Sequence, residues 1–176
     1  PEMERVREVA AVLAKAAKPV IVAGNGAVRS GAQREVVALA EKLQIPVDTS
    51  LNAKGMILDS HPLSVGVSGS YSRFCANNVL LEADLVFFIG SRAGGMVTHS
   101  RHFPPVGTPV IQLDIDPKEL GRNYPNAASI MGDARVPLQR LLEVVQPKSP
   151  DAASAWTKRV QQLVAEWRAE EEPKRN

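Results

Sequence analysis

The chain contains few of the residues on which several protein classes depend. Its single cysteine, Cys75, has no partner for an internal disulfide, which points to a reducing, cytoplasmic setting. Aromatic residues make up 5%, too few for the stacking surfaces of single-stranded nucleic-acid binders. A net charge of +2 is too small to indicate a nucleic-acid partner or a membrane surface, and no apolar run approaches the roughly 20 residues of a membrane span.

Patterns that usually carry catalysis or bind metals are also missing. His61, His99 and His102 are scattered, and none has carboxylates or cysteines at metal-ligand spacing. Ser68-Gly69-Ser70 lacks the strand–turn–helix context of a nucleophile elbow, and Cys75 is expected in the core. No residue is therefore predicted to be catalytic or to bind a metal.

What the sequence does contain is an alternation of short apolar runs and helical periodicity. With 44% apolar and 23% charged residues over 176 positions, one globular domain is expected. The pattern predicts strands at residues 20–23, 45–49, 85–89, 110–116 and 128–131. Helices are predicted at residues 2–17, 30–43, 72–83 and 136–145, with Ser30 and Asp133 as caps and a short helix after Pro117. This alternation is typical of an α/β domain with a mainly parallel sheet.

The last part of the chain has a different composition. Residues 147–153 are predicted to be a linker. Beyond them, Trp156, Val160, Leu163 and Trp167 share one helical face, which we expect to pack on the sheet domain or on a second copy.

Glycines and aspartates follow the predicted strands, where the carboxyl ends of a parallel sheet form a ligand crevice. Each has two interpretations. Gly24-Asn25-Gly26 either approaches a nucleotide phosphate or makes a tight turn, and Arg92 either binds a phosphate or is an ordinary loop residue. Asp48 either binds a ribose or caps a helix, and the Asp114/Asp116 pair either accepts bonds from hydroxyl groups or caps the next helix.

Several short motifs follow one another in a fixed order between residues 18 and 145. They are Lys-Pro-Val-Ile-Val-Ala-Gly-Asn-Gly at 18–26, Ile-Pro-Val at 45–47, His-Pro-Leu at 61–63 with Gly66 and Gly69, Ile-Gly-Ser-Arg at 89–92, Gln-Leu-Asp-Ile-Asp-Pro at 112–117 and Gly-Asp-Ala at 132–134. Together they resemble the central domain of the thiamine-diphosphate-dependent enzymes of the acetolactate synthase, pyruvate oxidase and benzoylformate decarboxylase superfamily.

The resemblance implies an α/β, Rossmann-like domain with a sheet of about six strands, flanked by helices. Residues 1–146 would form this central domain, and residues 147–176 the linker and a C-terminal helix toward a further domain. A chain that begins with Pro1 is expected to be a piece of a longer polypeptide. In that parent, flanking domains would bind the pyrimidine and the diphosphate of thiamine diphosphate, with Mg²⁺.

The implied parent is a homo-oligomeric lyase or transferase that makes or cleaves a carbon–carbon bond next to a carbonyl, on a 2-oxo acid or 2-hydroxyacyl substrate. The central domain alone would not be catalytic. Some members bind FAD or ADP across this domain, whereas others keep the fold as a spacer. Carried over, the candidate cofactor contacts are Gly24, Asn25, Gly26, Gly66, Gly69, Gly90, Ser91, Arg92, Asp114, Asp116, Gly132 and Asp133.

Two alternatives remain open at this point. The first is a working FAD- or ADP-binding module, although acetolactate synthases carry a sequence like Gly-x-Arg-Phe-Asp-Asp-Arg where this chain has Ala-Gly-Gly-Met-Val at 93–97 after Gly90-Ser91-Arg92. The second is a small NAD-dependent oxidoreductase. Against it, Arg29 stands where the third glycine of a dinucleotide fingerprint would fall.

Overall fold

Six parallel strands form a single sheet in a computed structural model that describes residues 1–174, without the side chains of residues 150–154 and 172. The strands are β1 (Pro19–Ala23), β2 (Val47–Thr49), β3 (Ser64–Val67), β4 (Leu85–Ile89), β5 (Val110–Asp114) and β6 (Asn126–Met131). Their order across the sheet is β3-β2-β1-β4-β5-β6, and every neighbouring pair is parallel. The predicted Rossmann-like α/β fold is confirmed. The last two residues of the predicted C-terminal segment lie outside the described residues.

Helices cover both faces of this sheet. They are α1 (Met3–Lys15), α2 (Asn25–Arg29), α3 (Gln33–Leu43), α4 (Phe74–Glu82), α5 (Gly95–Thr98), α6 (Arg135–Val144) and α7 (Pro150–Glu171), with 3₁₀ turns at Leu51–Ala53 and Glu172–Lys174. Residues of α1, α3 and α6 share one buried cluster with the sheet, and residues of α4 and α7 share the other. Among the described residues, no helix combines the length and apolar character that crossing a membrane requires.

The central strands β1 and β4 are continuous apolar runs because they are buried on both faces, and β5 departs from such a run only at Gln112 and Asp114. β1, β4 and β5 are buried along their whole length. Alternate side chains divide between the two cores: Ile21 and Phe87 belong to the α1/α3/α6 side, whereas Val22 and Phe88 belong to the α4/α7 side. Each of these strands thus contributes side chains to both hydrophobic cores.

The structure corrects two predictions about chain segments. β3 lies within residues 52–73, where no strand was predicted; Gly66 in this strand has φ 106°. The segment after Pro117 is a turn rather than a helix, and β5 ends at Asp114.

The two helix caps are also corrected. Ser30 is the C-terminal cap of α2 rather than the N-cap of α3, whose N-cap is Ala32. α6 has Ala134 as its N-cap, while Asp133 accepts only a long, 3.4 Å bond from the Arg135 amide.

α7 is part of the sheet domain's packing. Trp156, Val160 and Leu163 are buried against the α4 side of the sheet, and the Trp156 indole donates a 2.9 Å bond to the Pro19 carbonyl. Arg159 forms a bidentate pair with Glu82 on α4. The linker predicted at 147–153 is shorter, since the helix begins at Pro150, and the predicted domain boundary at residue 146 stays a prediction.

Replacing Trp156 with alanine is expected to destabilise the fold by about 3–5 kcal/mol, because the variant loses a buried indole and its bond to Pro19. Urea unfolding measures the change. The matched control is Lys158→Ala on the exposed side of the same helix, for which a change within about 0.5 kcal/mol is expected. Equal stability of the two variants would show that α7 contributes no packing to the domain.

Candidate functional site

A cleft of about 980 Å³ opens at the carboxyl ends of the strands. It lies where the strand order reverses, between β1 and β4, which each begin one half of the sheet. In open α/β sheets this position is where ligands bind. Residues that directly follow β1, β2, β3, β4 and β5 line it.

Most of the predicted cofactor contacts meet in this cleft. Those lining it are Gly24, Asn25, Gly26, Gly90, Ser91, Arg92, Asp114, Asp116 and Asp133. Three predicted residues do not line it: Gly66, Gly69 and Gly132. Their role as cofactor contacts stays a prediction.

Those three glycines have close neighbours of their own. A Cβ on Gly66 would stand 2.6 Å from the Arg73 Cδ, and one on Gly69 would collide with the Met96 carbonyl. A Cβ on Gly132 would lie 3.1 Å from the Pro137 Cγ. Close packing against backbone is therefore sufficient reason for Gly69, the φ of 106° favours glycine at Gly66, and Gly132 is at the limit of close contact.

The glycines after β1 and β4 are required by contact between the two strand ends. The Gly24 amide donates to the Ile89 carbonyl at 2.8 Å, and the Gly26 amide donates to the Gly90 carbonyl at 2.9 Å. A Cβ on Gly24 would collide with the Gly90 carbonyl, and one on Gly26 would stand 2.8 Å from the Gly90 Cα. Because the Gly26 and Ala27 amides are both bonded within the protein, this loop does not present them to a phosphate. The geometry favours the tight-turn interpretation.

The half of the cleft near β5 and β6 is rich in carboxylates. Asp114 accepts the Asp116 amide at 3.0 Å, and Asp116 accepts the Lys118 amide at 2.9 Å, so both shape the turn after β5 rather than cap a helix. Glu119 is 6% exposed and accepts a 3.0 Å bond from Arg122. Its second oxygen has no hydrogen-bond partner among the described residues. These oxygens suit a ligand that donates hydrogen bonds.

Arg92 lines the cleft beside this acidic half. Its side chain is 79% exposed, and its Nε lies 3.7 Å from the Glu119 carboxylate. The Arg92 carbonyl accepts a bond from the Asn123 amide group, which fixes the backbone while leaving the side chain free to turn toward the cleft. The interpretation of Arg92 as a phosphate-binding residue stays a prediction.

The half near β2 and β3 is apolar and was largely missed from the sequence. Tyr71, Met96 and Leu51 line it and are exposed by 71%, 59% and 55%. Ser50 and Ser68 line it directly after β2 and β3. Residues that directly follow parallel strands are expected at the ligand cleft, which indicates both serines once the strands are known. However, β3 was not predicted, and Met96 lies in the short helix α5, which no sequence pattern indicated.

Asp48 is neither a cleft carboxylate nor a helix cap, and both interpretations of it are wrong. It lies within β2, beside Val22 and Gly66, and is 0% exposed. Neither carboxylate oxygen has a partner of hydrogen-bond geometry among the described residues. Burial raises the pKa of Asp48 to about 8, against the smaller opposing influence of Ser68 and the Thr49 amide. The residue is therefore a buried, protonated acid at neutral pH.

The cysteine and histidines lie outside the cleft lining. Cys75 is buried on α4, and burial raises the pKa of its thiol to about 11, which makes it a poor nucleophile. His61 lies 3.0 Å from Glu41, and His99 lies 3.2 Å from the Ser70 hydroxyl. Across residues 1–174, no group of three or more acidic, histidine or cysteine side chains could hold a metal ion.

A parallel sheet in the order 3-2-1-4-5-6 with a polar cleft at its reversal point defines the Rossmann-like class of doubly wound α/β domains. Within that class, residues 6–141 match the family model described as "Thiamine pyrophosphate enzyme, central domain". The chain belongs to this family.

Curated relatives of the chain include acetolactate synthases. The chain is 36% identical over 160 residues to a "Probable acetolactate synthase large subunit" of Methanocaldococcus jannaschii, covering 90% of this chain and 27% of the relative. It is 34% identical to acetolactate synthase of Mycobacterium avium (89% and 26%) and 30% identical to the acetolactate synthase large subunit of Cyanidium caldarium (95% and 29%). The chain therefore spans between a quarter and a third of the length of these relatives.

Replacing Gly24 with alanine is expected to cost about 1–3 kcal/mol of folding stability, because the methyl group would force β1 and β4 apart at the cleft floor. Thermal or urea unfolding measures this. Gly94→Ala is the control, since Gly94 also lines the cleft but a Cβ there meets nothing within 4 Å. A Gly24→Ala variant as stable as Gly94→Ala would contradict the packing role.

Replacing Asp48 with asparagine is expected to remove a pH dependence of stability. The folded protein keeps this proton up to a pKa of about 8, whereas the unfolded chain releases it above the ordinary value of 3.8. The native state therefore binds more protons across this window, and its stability falls as pH rises, by up to roughly 1.4 kcal/mol per pH unit. Urea midpoints measured from about pH 4 to pH 8 should decline for the parent sequence but much less for Asp48→Asn.

The control for this experiment is Asp133→Asn, which changes an exposed carboxylate. It should retain the slope of the parent sequence. If Asp48→Asn and the parent sequence show the same slope, the carboxyl is ionised in the native state.

Proposed function

We propose that this chain is the central domain of an enzyme that uses thiamine diphosphate to make or cleave a carbon–carbon bond next to a carbonyl. The substrate class is a 2-oxo acid or a 2-hydroxyacyl compound, and synthesis of acetolactate is the reaction named by the curated relatives. The match of residues 6–141 to the central-domain family carries this proposal.

The domain contributes no catalytic group of its own in this scheme. Among the described residues, no cluster of side chains suits Mg²⁺, so the metal and the diphosphate of the cofactor belong to other parts of the parent. The cofactor supplies the carbanion chemistry, and the protein positions it.

The role left to this domain is to hold its neighbours in place. α7 is fixed to the sheet through Trp156, Arg159 and Leu163, so a domain attached to it would take a defined orientation. The expected partners are the flanking pyrimidine- and diphosphate-binding domains and further copies in a homodimer or homotetramer. The single cysteine favours a cytoplasmic parent.

The cleft supports a second function, the binding of ADP or FAD. Its volume of about 980 Å³ suits a ligand of this size. Asp114 and Glu119 would accept bonds from ribose hydroxyls, and Arg29 and Arg92 would pair with phosphates. A ring system would lie against Tyr71 and Met96. NAD-dependent oxidation has less support, because Arg29 stands where the third glycine of a dinucleotide fingerprint would fall.

Turnover by the parent polypeptide tests the first proposal. With thiamine diphosphate and Mg²⁺, the polypeptide that carries this domain should consume a 2-oxo acid. It should release acetolactate or another product in which a carbon–carbon bond next to the carbonyl has been made or cleaved. The isolated 176-residue chain should show none. Activity of the parent that persists after thiamine diphosphate is removed by dialysis would overturn the proposal.

Ligand-dependent melting of the isolated chain tests the second. ADP and FAD are expected to raise Tm, NAD and coenzyme A are run for comparison, and Arg92→Gln should weaken the ADP effect by about tenfold in Kd. Tyr71→Ala should weaken FAD more than ADP. Val106→Ala is the control, because Val106 is 77% exposed and outside the cleft lining. A shift with NAD alone would contradict both proposals, and no shift at all would leave the domain a spacer.

A further inference from the structure

Gln112 is a buried polar residue inside the strand β5. It is 2% exposed, and its neighbours in the strand, Ile111 and Leu113, belong to the hydrophobic core. A buried side-chain amide is costly unless both of its ends are hydrogen-bonded. Gln112 does not line the strand-end cleft, and packing alone would favour an apolar residue at this position. What it contributes therefore depends on the two groups that it bonds.

The Gln112 amide connects two loops at the carboxyl end of the sheet. Its Nε2 donates a 3.2 Å bond to the Ser91 carbonyl, in the loop that follows β4. Its Oε1 accepts a 3.0 Å bond from the Gly121 amide, in the turn between β5 and β6. Both ends of the side chain are satisfied, and the two loops are connected through β5.

Asn123 makes a second connection between the same two loops. Its Nδ2 donates a 2.8 Å bond to the Arg92 carbonyl. The Ser91 and Arg92 carbonyls belong to the two peptide groups on either side of the Arg92 Cα. Because each peptide group is planar, a bond to both of them restricts φ and ψ of Arg92. The direction in which the Arg92 side chain leaves the backbone is therefore set by Gln112 and Asn123.

Arg92 is the group on which this restraint acts. Its side chain lines the cleft and is 79% exposed, and its Nε lies 3.7 Å from the Glu119 Oε1. The same oxygen accepts a closer bond, at 3.0 Å, from Arg122. Glu119 therefore keeps a guanidinium partner when Arg92 turns to another anion, which lets a ligand phosphate recruit Arg92 at low cost.

We infer that Gln112 and Asn123 are positioning residues, which hold the backbone of Arg92 so that its guanidinium meets a phosphate group in the cleft. Neither residue lines the cleft, so both act through Arg92. The inference rests on the proposed binding of ADP or FAD in this cleft. Holding a binding group in place before the ligand arrives reduces the entropy that binding costs, which is how the two amides raise affinity.

Calorimetric titration of the chain with ADP and with adenosine tests the inference. Asn123→Ala should weaken ADP by about fivefold and leave adenosine unchanged, because adenosine has no phosphate for Arg92. In an Arg92→Gln background, which itself weakens ADP by about tenfold, Asn123→Ala should cause no further loss. Asn78→Ala removes an exposed amide on α4 outside the cleft lining and, as the control, should change neither ligand. An equal loss for adenosine, or a full loss added to that of Arg92→Gln, would overturn the positioning role.

Amide NMR of the ligand-free chain separates this inference from the proposed function. In Gln112→Met, a change of similar side-chain volume, the Gly121 amide should exchange with solvent faster by about fivefold. In Gln112→Met and in Asn123→Ala, the heteronuclear NOE of the Arg92 amide should fall, which reports added motion on the picosecond to nanosecond scale. Asn78→Ala should change neither signal.

The two measurements have different consequences. Arg92 backbone motion that is unchanged in both variants would overturn the inference, whether or not ADP binds. The expected NMR changes without any binding of ADP or FAD would overturn the proposed nucleotide site alone, and would support Gln112 and Asn123 as the residues that position Arg92.

Discussion

The contact between the carboxyl ends of β1 and β4 is the constraint on which the rest of this domain depends. Two amide–carbonyl hydrogen bonds, from Gly24 to Ile89 and from Gly26 to Gly90, hold these strand ends together. They lie where the strand order reverses, between the two halves of the sheet. Only glycine fits at positions 24, 26 and 90, because a Cβ at each of them would meet backbone atoms. The cleft floor, the start of α2 and the spacing of the two sheet halves all follow from this one contact. The same glycines that suggest a phosphate loop are thus explained by packing.

Much of the fold could be predicted from the sequence, because strands that are buried on both faces appear in it as short runs of apolar residues. β1 and β4 are uninterrupted apolar runs, β5 is interrupted only by Gln112 before it ends at Asp114, and the apolar faces of α1, α3 and α7 have clear helical periods. β3 has no such apolar run, since Ser64 and Gly66 interrupt this short edge strand. The prediction of Ser30 as a helix N-cap was wrong for a related reason. Ser30 precedes a helical pattern, but the five-residue helix α2 ends directly before it, so Ser30 caps the end of that helix.

The site was predictable only where it follows from strand ends. Gly90, Asp114 and their neighbours could be placed in the cleft by that rule, whereas Tyr71 and Met96 depend on how loops fold over the sheet. Asp48 shows the limit most clearly. The predicted strand 45–49 already contained Asp48, and its carboxylate suggested a polar role near the strand end. In the structure the Asp48 side chain is buried in the interior. Side-chain alternation along one strand does not tell which of its two faces the rest of the chain covers.

α7 also determines where the chain leaves the domain. Its 22 residues rise about 33 Å. Trp156, near its start, is bonded to the Pro19 carbonyl, at the amino end of β1. Trp167, near its end, lies 4.7 Å from the guanidinium of Arg73, whose amide is bonded to the Val67 carbonyl at the carboxyl end of β3. The helix thus crosses the sheet from the amino end of the central strand β1 to the carboxyl end of the edge strand β3. Both ends of the helix are therefore anchored to the sheet, and the residues after Trp167 start from the side of the sheet on which the strands end and the cleft opens.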